Sequence, residues 1–449
     1  MLYKKDVEWD AMSKVKVISL SEASPEELRK LLARSAVEVE EIKDKVVNML
    51  LDVKRRGDQA ILEFYEKFYG KKVISELRIS KEEFDAAWSK VSEEYIEAVK
   101  FAANNIRRFH EVQKPREAWF IEIDRGIWAG QIVRPLESVG VYVPGGRASY
   151  PSTALMTIIP AQVAGVKEIV VTTPPREDGS VDPHILVTLD VLGVRNAFKV
   201  GGVHAVAALA FGTQTIPKVE KIVGPGGLWF TAAKHVIRSY ADVDIDFIAG
   251  PSEILVLADD TADPLFVAYD IISQLEHDPA AAGVLVTTSK SLAMKVKEIL
   301  ESVITTLPRS EIIAKALDSN GAIVLAKDLD EAIDFVNKYA PEHLEILVSS
   351  DNLFKVLAKI MNAGSIFLGP YSTVPLGDYL IGPNHVLPTS GWAKRRGGLG
   401  VLDFVKVIDV TYVVDREALI KYNKYLKILT EAEGLPNHYN ALKTRLESM

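Results

Sequence analysis

Gly140-Val-Tyr-Val-Pro, Glu168-Ile-Val-Val-Thr-Thr-Pro-Pro, Ala197-Phe-Lys-Val and Lys221-Ile-Val-Gly-Pro-Gly-Gly are four short β-rich runs, each leading into glycine or proline. Between them, residues 153–163, 183–192 and 203–210 have helical composition, and a further helix is expected from the last run through 237. Strand, small-residue turn and helix, repeated at this spacing, make the βαβ pattern of a parallel, doubly wound sheet. The pattern resumes in Glu253-Ile-Leu-Val-Leu-Ala-Asp, Gly283-Val-Leu-Val-Thr-Thr and Gly321-Ala-Ile-Val-Leu, with helices expected to end near 277, 300 and 339. Two α/β units follow from this reading. Upstream, 24–113 reads as charged helices opening on Ser24-Pro-Glu-Glu, a helix-start signature. Past Gly400 the chain reads as a helical tail with no evident core of its own, a segment that must dock elsewhere.

The 449 residues leave room for roughly two to four domains of about 100–200 residues each. A content of 48% apolar and 25% charged residues is that of an ordinary globular protein. Lys and Arg number 53 against 61 Asp and Glu, and the net charge of −8 argues against a nucleic-acid backbone as partner. There is no cysteine, so disulfides, thiolate metal sites and a cysteine nucleophile are excluded. A transition metal here would have to rest on His, carboxylate or amide ligands. The longest apolar stretch, 150–166, contains Pro151, Pro160 and Gln162 and falls short of the roughly 20 residues that span a bilayer. The first ten residues lack a signal-peptide core, and a cytoplasmic protein without membrane association is expected.

Gly145-Gly146, Gly201-Gly202 and Gly224-Pro-Gly-Gly sit at strand ends directly before helices. There, backbone N–H groups at the positive end of a helix dipole can approach a phosphate. None matches G-x-G-x-x-G, and each also reads as a plain tight turn.

The eight histidines divide by setting. His110, His184 and His235 lie in charged or apolar helical text and read as surface or core residues. Gln274 and His277 are three apart at a helix end that Pro279 terminates, so both side chains leave one face. Such a pair suits a metal, and equally a hydrogen-bonded cap. Pro341-Glu-His-Leu-Glu places Glu342 and His343 at the start of a strand. A histidine beside a carboxylate suits a general base, while Glu342 alone also reads as a solvated loop carboxylate. Asp378 and His385 fall in Gly/Pro-rich text read as a loop, and His438 in the tail. If Gln274, His277, Asp378 and His438 meet, they form a mixed N/O site suited to Zn²⁺.

These segments together resemble the histidinol dehydrogenase family from about residue 30 to the C-terminus. The resemblance is carried by Val141-Tyr-Val-Pro-Gly-Gly, Gly250-Pro-Ser-Glu-Ile-Leu-Val, Ser273-Gln-Leu-Glu-His-Asp and Ala340-Pro-Glu-His-Leu-Glu. Gly377-Asp-Tyr, Asn384-His-Val-Leu-Pro-Thr and Glu433-Gly-Leu with His438 complete it. It implies two incomplete Rossmann-like domains with helical N- and C-terminal segments. Their expected extents are 38–140 with 251–399 for the first domain and 141–250 for the second, NAD-binding one. An N-terminal segment, 1–37, would pack with a dimer-crossing tail, 400–449. The same resemblance makes Gln274, His277, Asp378 and His438 the ligands of one zinc ion per subunit, and Glu342 and His343 the catalytic acid/base pair. Ser252, His385 and Glu433 would hold substrate together with His343 and the four metal ligands, and Tyr142 would face the NAD. In the homodimer, Glu433 and His438 would complete the partner's site. On the cofactor side, His204 stands where the family usually has glutamine, Gly227 where it has asparagine, and Gly397-Gly-Leu-Gly replaces a turn that commonly contains serine.

The implied reaction is oxidation of L-histidinol to L-histidine through L-histidinaldehyde, in the last steps of histidine biosynthesis, with NAD as acceptor. The alternative is a paralogue with the same zinc and base acting on another small polar alcohol, such as a sulfopropanediol. Two readings of other classes compete: a zinc hydrolase with Glu342 as base, and a binding module built on Lys394-Arg395-Arg396.

Overall fold

The structure is a computed structural model that describes residues 15–34, 40–145, 149–248 and 250–448. The signal-peptide reading of the first ten residues and the second glycine of the Gly145-Gly146 turn lie outside them. Fourteen strands in the described residues form three sheets. In chain order these are β1 (Val17–Ser19), β2 (Ala118–Asp124), β3 (Ile127–Pro135), β4 (Ser138–Tyr142), β5 (Glu168–Thr173), β6 (Ala197–Lys199), β7 (Lys221–Val223) and β8 (Asp244–Ile245). There follow β9 (Glu253–Ala258), β10 (Ala282–Thr287), β11 (Gly321–Leu325), β12 (His343–Leu347), β13 (Ser365–Leu368) and β14 (Val405–Val413).

The two expected α/β units are present, each a parallel sheet. The smaller has the order β6-β5-β4-β7-β8, the larger β1-β11-β10-β9-β12-β13. In both, the first strand of the unit is central and the winding reverses beside it, which is the doubly wound Rossmann-like arrangement cut short by a strand. Helices cover both faces, so strand residues alternate between two cores. On the larger sheet, Ile254, Val256 and Leu347 pack with the helices Pro264–Leu275 and Lys290–Val303, while Leu255, Leu257, Leu344 and Ile346 pack with Leu329–Tyr339. Burial on both faces is why these strands read as continuous apolar runs.

Three features depart from the sequence reading. The tail past Gly400 is not wholly helical: a short 3-10 turn, Val401–Phe404, leads into β14, which joins β3 and β2 in an antiparallel sheet before the helices Glu417–Ala432 and Pro436–Glu447. The helices of 43–113, grouped with the larger sheet, pack on the smaller one. Val46, Leu50 and Val53 share a core with Val170 and Phe198, and Val99 and Ile106 share one with Val139 and Val171. Their apolar stripes therefore cover the faces that the smaller sheet's own helices leave open. The described part of the N-terminal segment, expected to pack with the tail, adds β1 to the edge of the larger sheet and lays Leu28, Leu31 and Leu32 on its core. Among the described residues, no helix is long and apolar enough to cross a membrane.

Candidate active site

Glu342 and His343 lie at the entry to β12, beside the first residue of β9, Glu253. The helix Leu329–Tyr339 ends at Ala340, whose φ of 52° turns the chain sharply into Pro341. A left-handed conformation is costly for a residue with a Cβ, and it is held here by neighbours. Arg34 donates to the Ala340 carbonyl at 3.2 Å and to Glu253 Oε2 at 2.8 Å, and stacks 3.7 Å from the centre of the Tyr339 ring. The Glu253 N–H donates to Glu342 Oε2 at 2.8 Å, and its carbonyl accepts from His343 Nδ1 at 3.0 Å. Glu342 is 6% exposed, so the solvated-loop reading of this carboxylate is overturned by its burial.

The ring of His343 faces an acceptor on each side. Nδ1 meets the Glu253 carbonyl and, at 3.4 Å, Glu342 Oε2, while Nε2 lies 3.3 Å from Asp378 Oδ1. Burial alone would lower its pKa, but Asp378 and then Glu342 outweigh burial and hold it well above the ordinary imidazole value. Burial raises Glu342, with His343 opposing. Asp378 is pulled below the usual carboxylate range against its own burial by His343, His385 and His277. Asp378 lies in a short helix, Val374–Tyr379, not in the open loop expected from the Gly/Pro-rich text, since Pro375 is compatible with a first helical turn. His385 Nδ1 donates to the Asp378 carbonyl at 2.9 Å, and burial lowers both His385 and His277.

Gln274 and His277 leave the end of the helix Pro264–Leu275, with Gln274 2% exposed and Asp378 the first charged group acting on His277. Among the described residues, no three His, Asp or Glu side chains stand ready around one point. One chain nevertheless offers an amide, an imidazole and a carboxylate, a donor set that fits Zn²⁺ once a fourth is supplied. Ser252 immediately precedes β9. Glu433 and His438 are exposed on the tail, and neither is among the principal charged partners of His277, His343, Asp378 or His385.

This cluster occupies the amino ends of β9 and β12, whereas the glycine turns occupy carboxyl ends of the smaller sheet. Gly202, at φ 59°, opens the helix Gly202–Phe211, and Gly227 precedes Leu228–Ile237, each with open space where a side chain would stand. Gly227 follows β7, which pairs with β4 at the winding reversal, whereas Gly202 follows the edge strand β6. A glycine-led helix N-terminus at the reversal fits a dinucleotide phosphate. Tyr142 is buried and stacked 4.0 Å from Phe230. His204 is 5% exposed, its ring lies 4.0 Å from that of Phe64 at a tilt of 31°, and it helps line a cavity of about 820 Å³ with Asp52, Arg55, Arg56 and Lys67. Burial pushes His204 down to about 4, so it is uncharged at neutral pH.

Arg34, Glu253, Asp270 and Glu345 received no role from the sequence. Their signal is slight: Glu253 and Glu345 are carboxylates placed where the neighbouring strand residues are apolar.

The histidinol dehydrogenase family pattern matches residues 32–446. The chain belongs to the histidinol dehydrogenase family. It is 48% identical to the histidinol dehydrogenase of Methanosarcina barkeri over 95% of this chain and 96% of that one. Against the enzyme named so in Clostridium acetobutylicum it is 49% identical, over 90% and 92% respectively. The crystal structure of histidinol dehydrogenase from Elizabethkingia anophelis superimposes with a TM-score of 0.91 at 37% identity, covering 97% of this chain and 99% of that one. The chain is thus an oxidoreductase acting on CH–OH, which sets aside the hydrolase and binding-module readings. Within the Lys394-Arg395-Arg396 run, Arg396 is engaged internally, with Asp403 Oδ1 at 2.7 Å and the Asp246 carbonyl at 2.8 Å. The sulfopropanediol alternative draws no support from these relatives.

Proposed function

We propose that this histidinol dehydrogenase family member oxidises L-histidinol to L-histidine through L-histidinaldehyde in the cytoplasm, with NAD and one zinc ion per subunit. The observation that carries the reading is the buried Glu342–His343 pair locked to Glu253 and facing Asp378. When bound, zinc would supply a Lewis acid that holds substrate and NAD would supply the hydride acceptor. Gln274, His277 and Asp378 would hold the metal with His438 of the partner subunit, in a homodimer whose tails cross. Tyr142, His204 and Gly227 would line the dinucleotide. Ser252, His385 and Glu433 would hold the substrate, fixing the alcohol carbon for transfer.

Because Nδ1–H of His343 is committed to the Glu253 carbonyl, Nε2 is the atom that exchanges protons. With Asp378 engaged as a ligand, Nε2 is free to take the alcohol proton in the first oxidation. Glu342, held above the usual carboxylate range, is suited to pass a proton during hydration of the aldehyde. His343 then deprotonates the hydrate for the second oxidation. The test is the NADH yield per histidinol under single-substrate conditions. Two are expected, with activity lost on chelation and regained with Zn²⁺. A yield of one with free aldehyde released would overturn the two-step reading.

A further inference from the structure

Asp270 lies one turn before Gln274 on the helix Pro264–Leu275, on the face that also presents His277. Its Oδ1 accepts a 2.8 Å hydrogen bond from Thr373 Oγ1, and Thr373 immediately precedes the short helix that carries Asp378. Its carboxyl also meets the carboxyl of Glu345. Glu345 is two residues beyond His343 on β12 and so projects from the same face of the sheet. It is 1% exposed, its sheet neighbours are Val256 and Phe367, and its Oε2 has no hydrogen-bond partner among the described residues. The helix bearing Gln274 and His277, the strand bearing His343 and the helix bearing Asp378 therefore converge on one pair of acids.

Two carboxyls in contact out of water do not both ionise, and a single proton between them makes a directional, charge-assisted bond. We propose that Asp270 and Glu345 share one proton and act as positioning residues, locking together the three elements that carry the zinc ligands and the base. The inference rests on the functional reading above and names what holds that site in register. An apolar contact at this point would fill the same space without fixing the rotation of one element against another. A neutral amide at 345, which can donate to Asp270, should serve nearly as well as the acid.

Asp270 is the ionisable group that faces Glu345, and the other neighbours named are uncharged. Burial and Asp270 push Glu345 up to about 9, so the shared proton is present at neutral pH and leaves in alkali. The experiment compares wild type, Glu345→Gln and Glu345→Leu by zinc affinity in chelator competition, by unfolding temperature, and by kcat and KM across neutral to alkaline pH. Glu345→Leu, folded, is expected to lose about 10–100-fold in zinc affinity and in kcat, the range for residues that orient metal ligands. Glu345→Gln is expected to restore both to within about threefold, and to lack the wild-type decline in kcat as pH rises through about 9. Equal loss in the Gln and Leu variants, or an unchanged alkaline decline in Glu345→Gln, would overturn the proposal. The second criterion stands even if Glu345→Leu does not fold. A wild-type chain without histidinol turnover would overturn the functional reading and this inference with it, whereas an active wild type with indifferent variants would sink the inference alone.

Discussion

A neutral imidazole has one N–H, yet His343 faces the Glu253 carbonyl on one side and Asp378 on the other, so in this arrangement both ring nitrogens donate. Its usefulness as a base therefore depends on Asp378 having another partner, which a metal would provide. His343→Asn is expected to lower kcat by about 10²–10⁴-fold with the fold intact, as for the loss of a general base. Glu342→Gln keeps an oxygen for the Glu253 N–H and should spare the first oxidation while slowing the second. Stopped-flow NADH traces with an aldehyde trap check this, and trapped aldehyde should rise in the Gln variant only. His204 makes a different statement about protons. Its folded value, about 4, lies below the ordinary imidazole value, so between the two the unfolded chain binds more protons and stability falls as pH drops. The full contribution is on the order of 3 kcal/mol, present above about pH 6.5 and lost towards 4. Thermal unfolding of wild type and His204→Gln over that window should show a shallower acid decline in the variant. Identical slopes would mean that His204 is charged in the fold.

At the scale of elements, legibility followed burial. The strands β9, β10 and β11 are covered on both faces, so their apolar runs and glycine-led turns stood out in the text. The sheet of β2, β3 and β14 did not, because its faces are largely exposed in one chain and, beside the local β2–β3 hairpin, β14 joins it from distant text, Val405 with Pro135 and Val413 with Ile127. Glu342, His343, Gln274, His277 and Asp378 were legible as motifs, whereas the ties between them were not. Arg34, Glu253, Asp270 and Glu345 act by contacts across elements that no local spacing encodes. The N-terminal helix Pro25–Ala33 illustrates the point. Its capping box, Ser24 with Glu27, could be read directly, but its purpose is to deliver Arg34 to Glu253, where both side chains are almost fully buried. Arg34→Ala takes this partner from a buried carboxylate and is expected to cost about 3 kcal/mol or more of stability. Because Glu253 also holds Glu342 and His343, kcat should fall as well. Denaturant unfolding and steady-state kinetics on the same preparation check both, and Arg34→Lys, which cannot stack or fork in the same way, should recover only part.

For the whole molecule, the tail poses a problem that one chain does not solve. Ile420 and Leu429 are each 62% exposed, with Tyr425, Ile428 and Leu435 also largely uncovered, and the antiparallel sheet beneath leaves Phe120, Ile121 and Tyr412 open. Apolar surface of this extent calls for a covering partner, and the proposed two-fold dimer would supply one by placing the same patch of each subunit against the other. The proposed zinc site would make the same demand, since His277 and Asp378 interact within one chain while His438 stands exposed on the tail. If each site takes His343 from one subunit and His438 from the other, two inactive variants should repair each other. His438→Ala spoils the site to which its tail reaches, and His343→Ala spoils its own. In a mixed dimer both defects fall into one site and the other is left whole. Equal mixing after reversible dissociation should make about half the dimers mixed, each with one intact site, and restore about a quarter of wild-type activity. If the tail served its own chain, each subunit of a mixed dimer would carry one defect and the mixture would remain inactive. Zinc content should follow His438 and not activity: depressed in His438→Ala, little changed in His343→Ala, and about half of wild type in the equal mixture whether or not subunits have exchanged.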